Sequence, residues 1–338
     1  MVTKTVEMDF EYMAYIPKPP RKGTELYQQA CSNDGITVSS WHKTWVGNTK
    51  ENHKKYGPFY KKSIGKLWGA HKLSPSIIIG SGPSLKNNIE DHRDTKGIPK
   101  ISCLHNYHYL EDNGVRADYY VSLDAGDITI EEISKGGKKS HKEYIESTKD
   151  KTLLAYVGSS PKLLESWKGD ILFFTCPVPH AQVIKEMKEI EDFNTFVSSG
   201  GNVLGACMYI AKAIMGCNPI IFTGADFSFD YKKKFHPWQD EKYDQLGQCM
   251  RGIDVYGNSV LTWRSYFNFK CFFDYICSSL PGLYINATEG GTLGAYPEGN
   301  IMDIIQMPLK QVVRMFSLHE DMKEQCLEPN KTSNKILY

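Results

Sequence analysis

From residue 75 onward, short apolar runs alternate with polar, helix-like segments, and this rhythm predicts the fold class. Six runs read as buried strands: Ile77–Ile79, Ile101–Leu104, Tyr119–Leu123, Leu153–Val157, Ile171–Phe174 and Pro219–Thr223. Between them, Ser84–His92, Tyr107–Asn113, Pro161–Trp167, Ala181–Ile190 and Asn202–Met215 carry helical patterning. Strands separated by helices imply right-handed crossovers, hence an α/β, Rossmann-like, mostly parallel sheet with helices on both faces. Residues 1–72 lack the rhythm and are expected to form an irregular extension wrapped on the domain. The α/β unit is expected over residues 73–295, and 296–338 as a C-terminal segment with a helix near Leu309–Phe316 and a mobile tail after Glu328.

Composition narrows the classes. Apolar residues make up 41% of the 338 and charged residues 23%, as in an ordinary globular protein, and the net charge of +1 leaves no global field to attract nucleic acid or lipid. No apolar run approaches the roughly 18 residues of a membrane span. The start, MVTKTVEMDFEYMAYIP, has no apolar core, so no secretory leader and no membrane partner are expected. Nine scattered cysteines without a C-x-x-C pair fit structural thiols in a reducing cytoplasm, which for a phage-encoded protein is the host's.

The stretch SPSIIIGSGPSLKNNIEDH raises the first chemical question. In a doubly wound sheet, ligands lie beyond the carboxyl ends of strands, and the first strand–helix turn is a usual phosphate contact. Gly80 and Gly82 permit close backbone approach, and Pro83 and Ser84 open a helix whose N–H groups favour an anion. Leu85 breaks the G-x-G-x-x-G fingerprint and no Walker pattern exists, which disfavours NAD and P-loop chemistry. Taken alone, the turn is equally well explained as a tight structural corner. Other strand ends carry polar residues too: Asn106, Asp124, the Ser198-Ser199-Gly200-Gly201 helix start, and Gly224-Ala225-Asp226. Four such ends converging on one crevice point to a site.

These pieces carry a resemblance. IIIGSGPSL at 77–85, GVRADYYVSLD at 114–124, GGNVLGA at 200–206, IIFTGADFSF at 220–229, DVYGNSVLT at 254–262 and LYINATEGG at 283–291 look like the family of the archaeal 6-hydroxymethylpterin pyrophosphokinase. That family also holds the glycosyltransferase core of the motility accessory factors. The first, second and fourth loops are also similar to bacterial sialyltransferases that use CMP-sialic acid. The resemblance implies a sialyltransferase-like fold and a nucleotide-sugar-binding catalytic domain over 73–295. It places Gly80, Ser81, Gly82, Ser84, Asn106, Asp124, Ser199, Gly200, Gly201 and Asp226 around the donor. Ser81 stands where those sialyltransferases carry Asn, so the donor is open between CMP and UDP types.

Group transfer needs a base for the acceptor hydroxyl and help for the departing phosphate. His236, in the polar loop FDYKKKFHPWQDEKYDQLG, is the expected base, with Asp226 or Asp230 orienting it, and the loop is a candidate lid. A solvent-facing histidine is the bland alternative. Lys232–Lys234, Tyr231, Tyr243 and Tyr256 are candidate phosphate contacts, and Asn286 and Glu289 candidate acceptor contacts. No cofactor is required on this reading. The rival reading is a Mg²⁺-dependent pyrophosphokinase of a hydroxymethylpterin-like alcohol, with Asp124, Asp226 and Glu289 holding the metal.

Trp41 to Lys72 carries eight lysines against the single acid Glu51, interleaved with Trp41, Trp45, Tyr56, Phe59, Tyr60 and Trp68. Cations beside flat rings are what nucleic-acid surfaces offer, so Lys54, Lys55, Lys61, Lys62 and Trp68 are candidate DNA contacts. Aromatics packed on the core with lysines in water explain the segment equally simply. The expected function is glycosyl transfer to a hydroxyl of a glycan, a protein or, as in phage DNA modification, a hydroxylated base. A catalytically silent nucleotide- or DNA-binding protein is the third reading. The sequence carries no signal of oligomeric state.

Overall fold

The computed structural model describes residues 25–316 apart from residues 177, 179, 191–194, 233, 240–248 and 297–298. Lys233, Tyr243 and the expected tail lie outside the described residues.

The apolar runs form strands as read. β1 (Ser76–Ile79), β2 (Lys100–Cys103), β3 (Tyr119–Ser122), β4 (Thr152–Tyr156), β5 (Asp170–Phe174) and β6 (Ile220–Thr223) each fall within a residue or two of expectation. Ile77, Ile78 and Ile79 are wholly buried, as a strand covered on both faces requires. Beyond β6 come a hairpin, β7 (Cys249–Ile253) with β8 (Ser259–Trp263), and then β9 (Tyr284–Asn286) and β10 (Ile304–Gln306). Eight strands pair in parallel in the order β10-β9-β6-β1-β2-β3-β4-β5, while β7 and β8 form a separate antiparallel ribbon. Residues 309–316 are helical, where the C-terminal helix was expected.

The order locates the site. The chain steps outward from β1 to β5, returns to lay β6 on the other flank of β1, and continues to β9 and β10. Connections therefore leave β1 and β6 in opposite directions, and a crevice opens beyond their carboxyl ends.

The expectation of an irregular extension is overturned: Glu25–Tyr56 is one 32-residue helix. Gly35, Gly47, Ser39 and Ser40 are poor helix formers, and the buried stripe is half polar: Val38, Val46, Thr49 and Asn52. Tertiary contacts hold it. Buried Asn52 donates from Nδ2 to the carbonyls of Val157 (2.8 Å) and Ser159 (2.9 Å), and Asn48 to those of Ala125 (3.0 Å) and Gly158 (3.1 Å). The helix thus clamps the loops that follow β3 and β4. Asn52→Ala strips two buried carbonyls of their donor, and a loss of about 2–3 kcal/mol in urea unfolding is expected. A wild-type midpoint in that variant would mean the clamp carries no stability.

The lysine-rich segment after this helix joins the far edge of the sheet. Ser63 bridges Phe173 of β5, and the Tyr56, Phe59 and Phe173 rings pack with centroids 4.9–5.6 Å apart. Lys55 pairs with Glu165 at 2.7 Å. Tyr56 and Phe59 therefore serve the core rather than a nucleic-acid face. Lys54, Lys61, Lys62 and Trp68 remain exposed. Lys61 and Lys62, in the turn Phe59–Lys62, sit beside β5, four strand spacings or roughly 19 Å from β1, whereas Trp68 adjoins Gly69, whose N–H donates to the Ile214 carbonyl ahead of β6. No described helix is long and apolar enough to cross a membrane.

Candidate active site

The turns that follow β1 and β6 are bonded to each other. The Gly80 N–H donates to the Thr223 carbonyl (2.8 Å), and the Gly82 N–H to that of Gly224 (2.9 Å). A Cβ at Gly80 would lie 2.4 Å from the Gly224 oxygen, and one at Gly224 2.4 Å from that of Gly80. One at Gly82 would lie 2.0 Å from Asp226 Oδ2. The bare backbone at these three positions is thus required by turn-on-turn packing, where the sequence reading gave it to ligand approach.

Asp226 is the chemical centre of this packing. Its Oδ1 accepts from the Ser84 hydroxyl (2.5 Å) and backbone N–H (3.1 Å), while Oδ2 is buried with no hydrogen-bond partner. Gly290 and Gly291 close over it: a Cβ at Gly291 would fall 2.3 Å from Asp226 Cα, and one at Gly290 2.3 Å from Ser84 Oγ. Burial pushes the Asp226 carboxyl up to about 7, against the pull of the Ser84 hydrogen bonds and the Lys86 charge. A carboxyl poised near neutrality in a cleft marks a functional candidate.

Around it lies a cavity of about 290 Å³. One wall is polar, made of Gly80, Ser81, Gly82, Asp226 and Ser228; the other is aromatic, with Phe227, Phe235, Tyr266 and Phe269. Tyr266 and Phe269 come from the helix Arg264–Ser279, and that helix is tied to the 290–296 loop by a buried pair. Lys270 Nζ meets Asp274 (2.6 Å) and donates to the Ala295 carbonyl (2.7 Å), and Asp274 accepts from the Gly294 N–H (2.9 Å). Two residues of the aromatic wall, Tyr266 and Phe269, are thereby tied to the loop that carries the glycines over Asp226.

Other expected residues take different places. Asn106 does not line the cavity: it donates to the Ile79 carbonyl (3.1 Å) and Ser102 Oγ (3.2 Å), bolting the end of β1 to β2. Ser199, Gly200 and Gly201 do not line the cavity, although Gly201 packs against Phe269, and the next residues, Asn202, Val203 and Leu204, do line it. Asn202 caps the helix Val203–Tyr209 by accepting from the Gly205 N–H at 2.9 Å. Asp124 is exposed and does not line the cavity. His236 donates from Nδ1 to the Ser81 carbonyl at 2.9 Å and stacks on Trp238 with centroids 4.7 Å apart. Burial and the neighbouring His105 drive its pKa down to about 3.

Neither expected carboxylate orients His236. Asp226 holds Ser84, and Asp230 pairs with Lys86 at 2.7 Å while accepting from the Lys232 and Lys234 N–H groups. Tyr231 is no phosphate donor in this arrangement, since its hydroxyl donates to Asp254 (2.7 Å) and accepts from Asn258 (3.1 Å). Tyr256 is exposed. Asn286 braces β9 against Gln306 (2.9 Å), and Glu289 accepts from Asn88 and the Leu309 N–H, both at 3.2 Å. Asp124, Asp226 and Glu289 do not gather, and among the described residues no three His, Cys, Asp or Glu side chains are grouped to hold a metal.

Sequence reading missed the aromatic wall and His105. Phe227, Phe235, Tyr266 and Phe269 look like core residues in the chain, and only the cavity distinguishes them. His105 directly precedes Asn106 at the same strand end.

Comparison with known proteins agrees with this architecture. The MAf glycosyltransferase from Magnetospirillum magneticum AMB-1 superposes with a TM-score of 0.55 at 16% identity, covering 83% of this chain and 42% of that protein. At that identity the likeness is one of fold, and this chain spans less than half of that protein's length. No curated protein matches. Residues 43–232, more than half of the 338, match the family described as 6-hydroxymethylpterin diphosphokinase MptE-like. The chain belongs to the 6-hydroxymethylpterin diphosphokinase MptE-like family.

Proposed function

We propose that the protein is a glycosyltransferase that moves a sugar from a CMP- or UDP-type donor to a hydroxyl acceptor. The observation that carries this reading is the cleft at the β1–β6 switch point, where two interlocked glycine turns and Asp226 face an aromatic wall. At about 290 Å³ the cleft is at the small end of ligand pockets, so it takes part of the donor while the rest extends toward its open side. The fold shared with a glycosyltransferase supports the reading.

Acceptors consistent with it are a glycan, a protein or a hydroxylated DNA base. A DNA acceptor would use the exposed Lys54, Lys61, Lys62 and Trp68, of which Lys61 and Lys62 lie beside β5, roughly 19 Å from β1. The family's own description favours one second reading, diphosphoryl transfer to a pterin-like alcohol.

Thermal-shift titration separates the two. Saturating CMP or UDP without metal is expected to raise Tm, by mass action of about 2.7 kcal/mol at a hundred times Kd. Stabilisation only by ATP with Mg²⁺ would replace the transferase by the diphosphokinase.

A further inference from the structure

We propose that His105, held by Glu132, is the base that takes the proton from the acceptor hydroxyl, an assignment that rests on the transferase reading above. His105 sits in the turn Leu104–Asn106 directly after β2 and lines the cleft. Its Nδ1 is 3.4 Å from Glu132 Oε2, at the end of the helix Ile128–Glu132. A carboxylate only accepts, so Glu132 favours the tautomer with the proton on Nδ1 and the lone pair on Nε2. That Nε2 is buried and has no hydrogen-bond partner. A carboxylate behind an imidazole fixes its tautomer and stabilises the imidazolium that forms.

The other imidazoles of the cluster lack this support. His236 spends Nδ1 on a carbonyl, which gives an imidazolium no countercharge. Burial drives His108 to about 4, and both its nitrogens are buried without partners. The groups facing His105 are Glu132, Asp124 from the loop after β3, His108, and the rings of His236 and Trp238 at 4.6 and 5.1 Å. These two rings pack against His105.

In the step, the acceptor oxygen attacks the anomeric carbon as its proton passes to Nε2. The bond from that carbon to the phosphate oxygen breaks, and its electron pair leaves with the nucleotide. Glu132 faces the imidazolium until the proton returns to solvent.

The test uses the full chain with CMP-sialic acid and UDP-hexoses, water or a simple alcohol as acceptor, and released CMP or UDP as readout. His105→Ala and the closer-shaped His105→Gln are expected to lower kcat by about 10²–10⁴-fold while leaving nucleotide Kd within a few-fold. Imidazole added to His105→Ala restores part of the rate. Glu132→Gln lowers kcat less and costs nothing further in the His105→Ala background, since the pair acts as a unit. Wild-type turnover in either His105 variant, or additive losses without imidazole rescue, overturns the assignment alone. A wild-type protein that releases no nucleotide from any donor overturns it together with the transferase reading.

Discussion

A Gly82→Val protein is expected to lose the cleft itself, not merely its ligand. The new Cβ would stand 2.0 Å from Asp226 Oδ2 and 2.7 Å from the Gly224 carbonyl oxygen, well inside van der Waals contact. The second neighbour is backbone of the paired turn, so no rotamer relieves it. Either the β1 turn or the β6 turn must shift, and with it Asp226, which Ser84 holds at 2.5 Å. Overpacking of this kind costs 1–3 kcal/mol at ordinary core positions, and a backbone neighbour places Gly82 at or above the top of that range. The expected result is a fall in Tm on the order of 5 °C or more, with nucleotide binding abolished. Gly97→Ala, at a glycine with nothing within 4 Å but a φ of +79°, isolates backbone strain from crowding and should leave nucleotide affinity unchanged. Wild-type melting and affinity in Gly82→Val would show that the two turns are not interlocked.

How far the chain alone reveals this arrangement depends on what each residue answers to. Ile77–Ile79 and Ile220–Thr223 are legible because a parallel strand buried on both faces must be apolar throughout. Gly80, Gly82 and Asp226 are legible as a site because strand ends of a doubly wound sheet gather ligand contacts. The reason for the glycines is not legible, since it lies in a partner turn 142 or more residues away, and sequence shows no such contact. The helix Glu25–Tyr56 is hidden for a related reason. Its buried face carries Thr49, whose hydroxyl turns back to the Trp45 carbonyl of the same helix, and Asn52, which is satisfied only by the carbonyls of distant loops. Phe235, Tyr266 and Phe269 have the composition of a core and become a wall only because space is left in front of them. His105 could have been found: it follows β2 directly and precedes Asn106 by one residue, but its partner Glu132 belongs to another element.

Asp226→Asn is expected to abolish the pH dependence that the native carboxyl imposes. Burial raises this carboxyl from the ordinary aspartate value of 3.8 to about 7, so across that interval the folded chain binds more protons than the unfolded one. Stability from this group is therefore fully present below about 4 and is lost as pH rises through about 7. The gap, at about 1.4 kcal/mol per pH unit, comes to on the order of 4 kcal/mol. Asparagine keeps an oxygen for Ser84 and carries no charge, though its amide leaves a buried N–H unpaired, which costs about 1–3 kcal/mol at every pH. The slope rather than the absolute value is thus diagnostic. Urea unfolding at pH 5, 6.5 and 8 should show the wild type losing stability relative to Asp226→Asn at each step. Nucleotide affinity follows the same sign: above about 7 the wild type presents a buried negative charge to an anionic ligand, and the variant does not. The ratio of variant to wild-type affinity should accordingly rise between pH 6 and pH 8, with the phosphate's own titration cancelling in the comparison. Parallel stability curves and a constant affinity ratio would place the ionised carboxylate outside the reach of any bound phosphate, and Asp226 would then be a structural anchor for Ser84 alone.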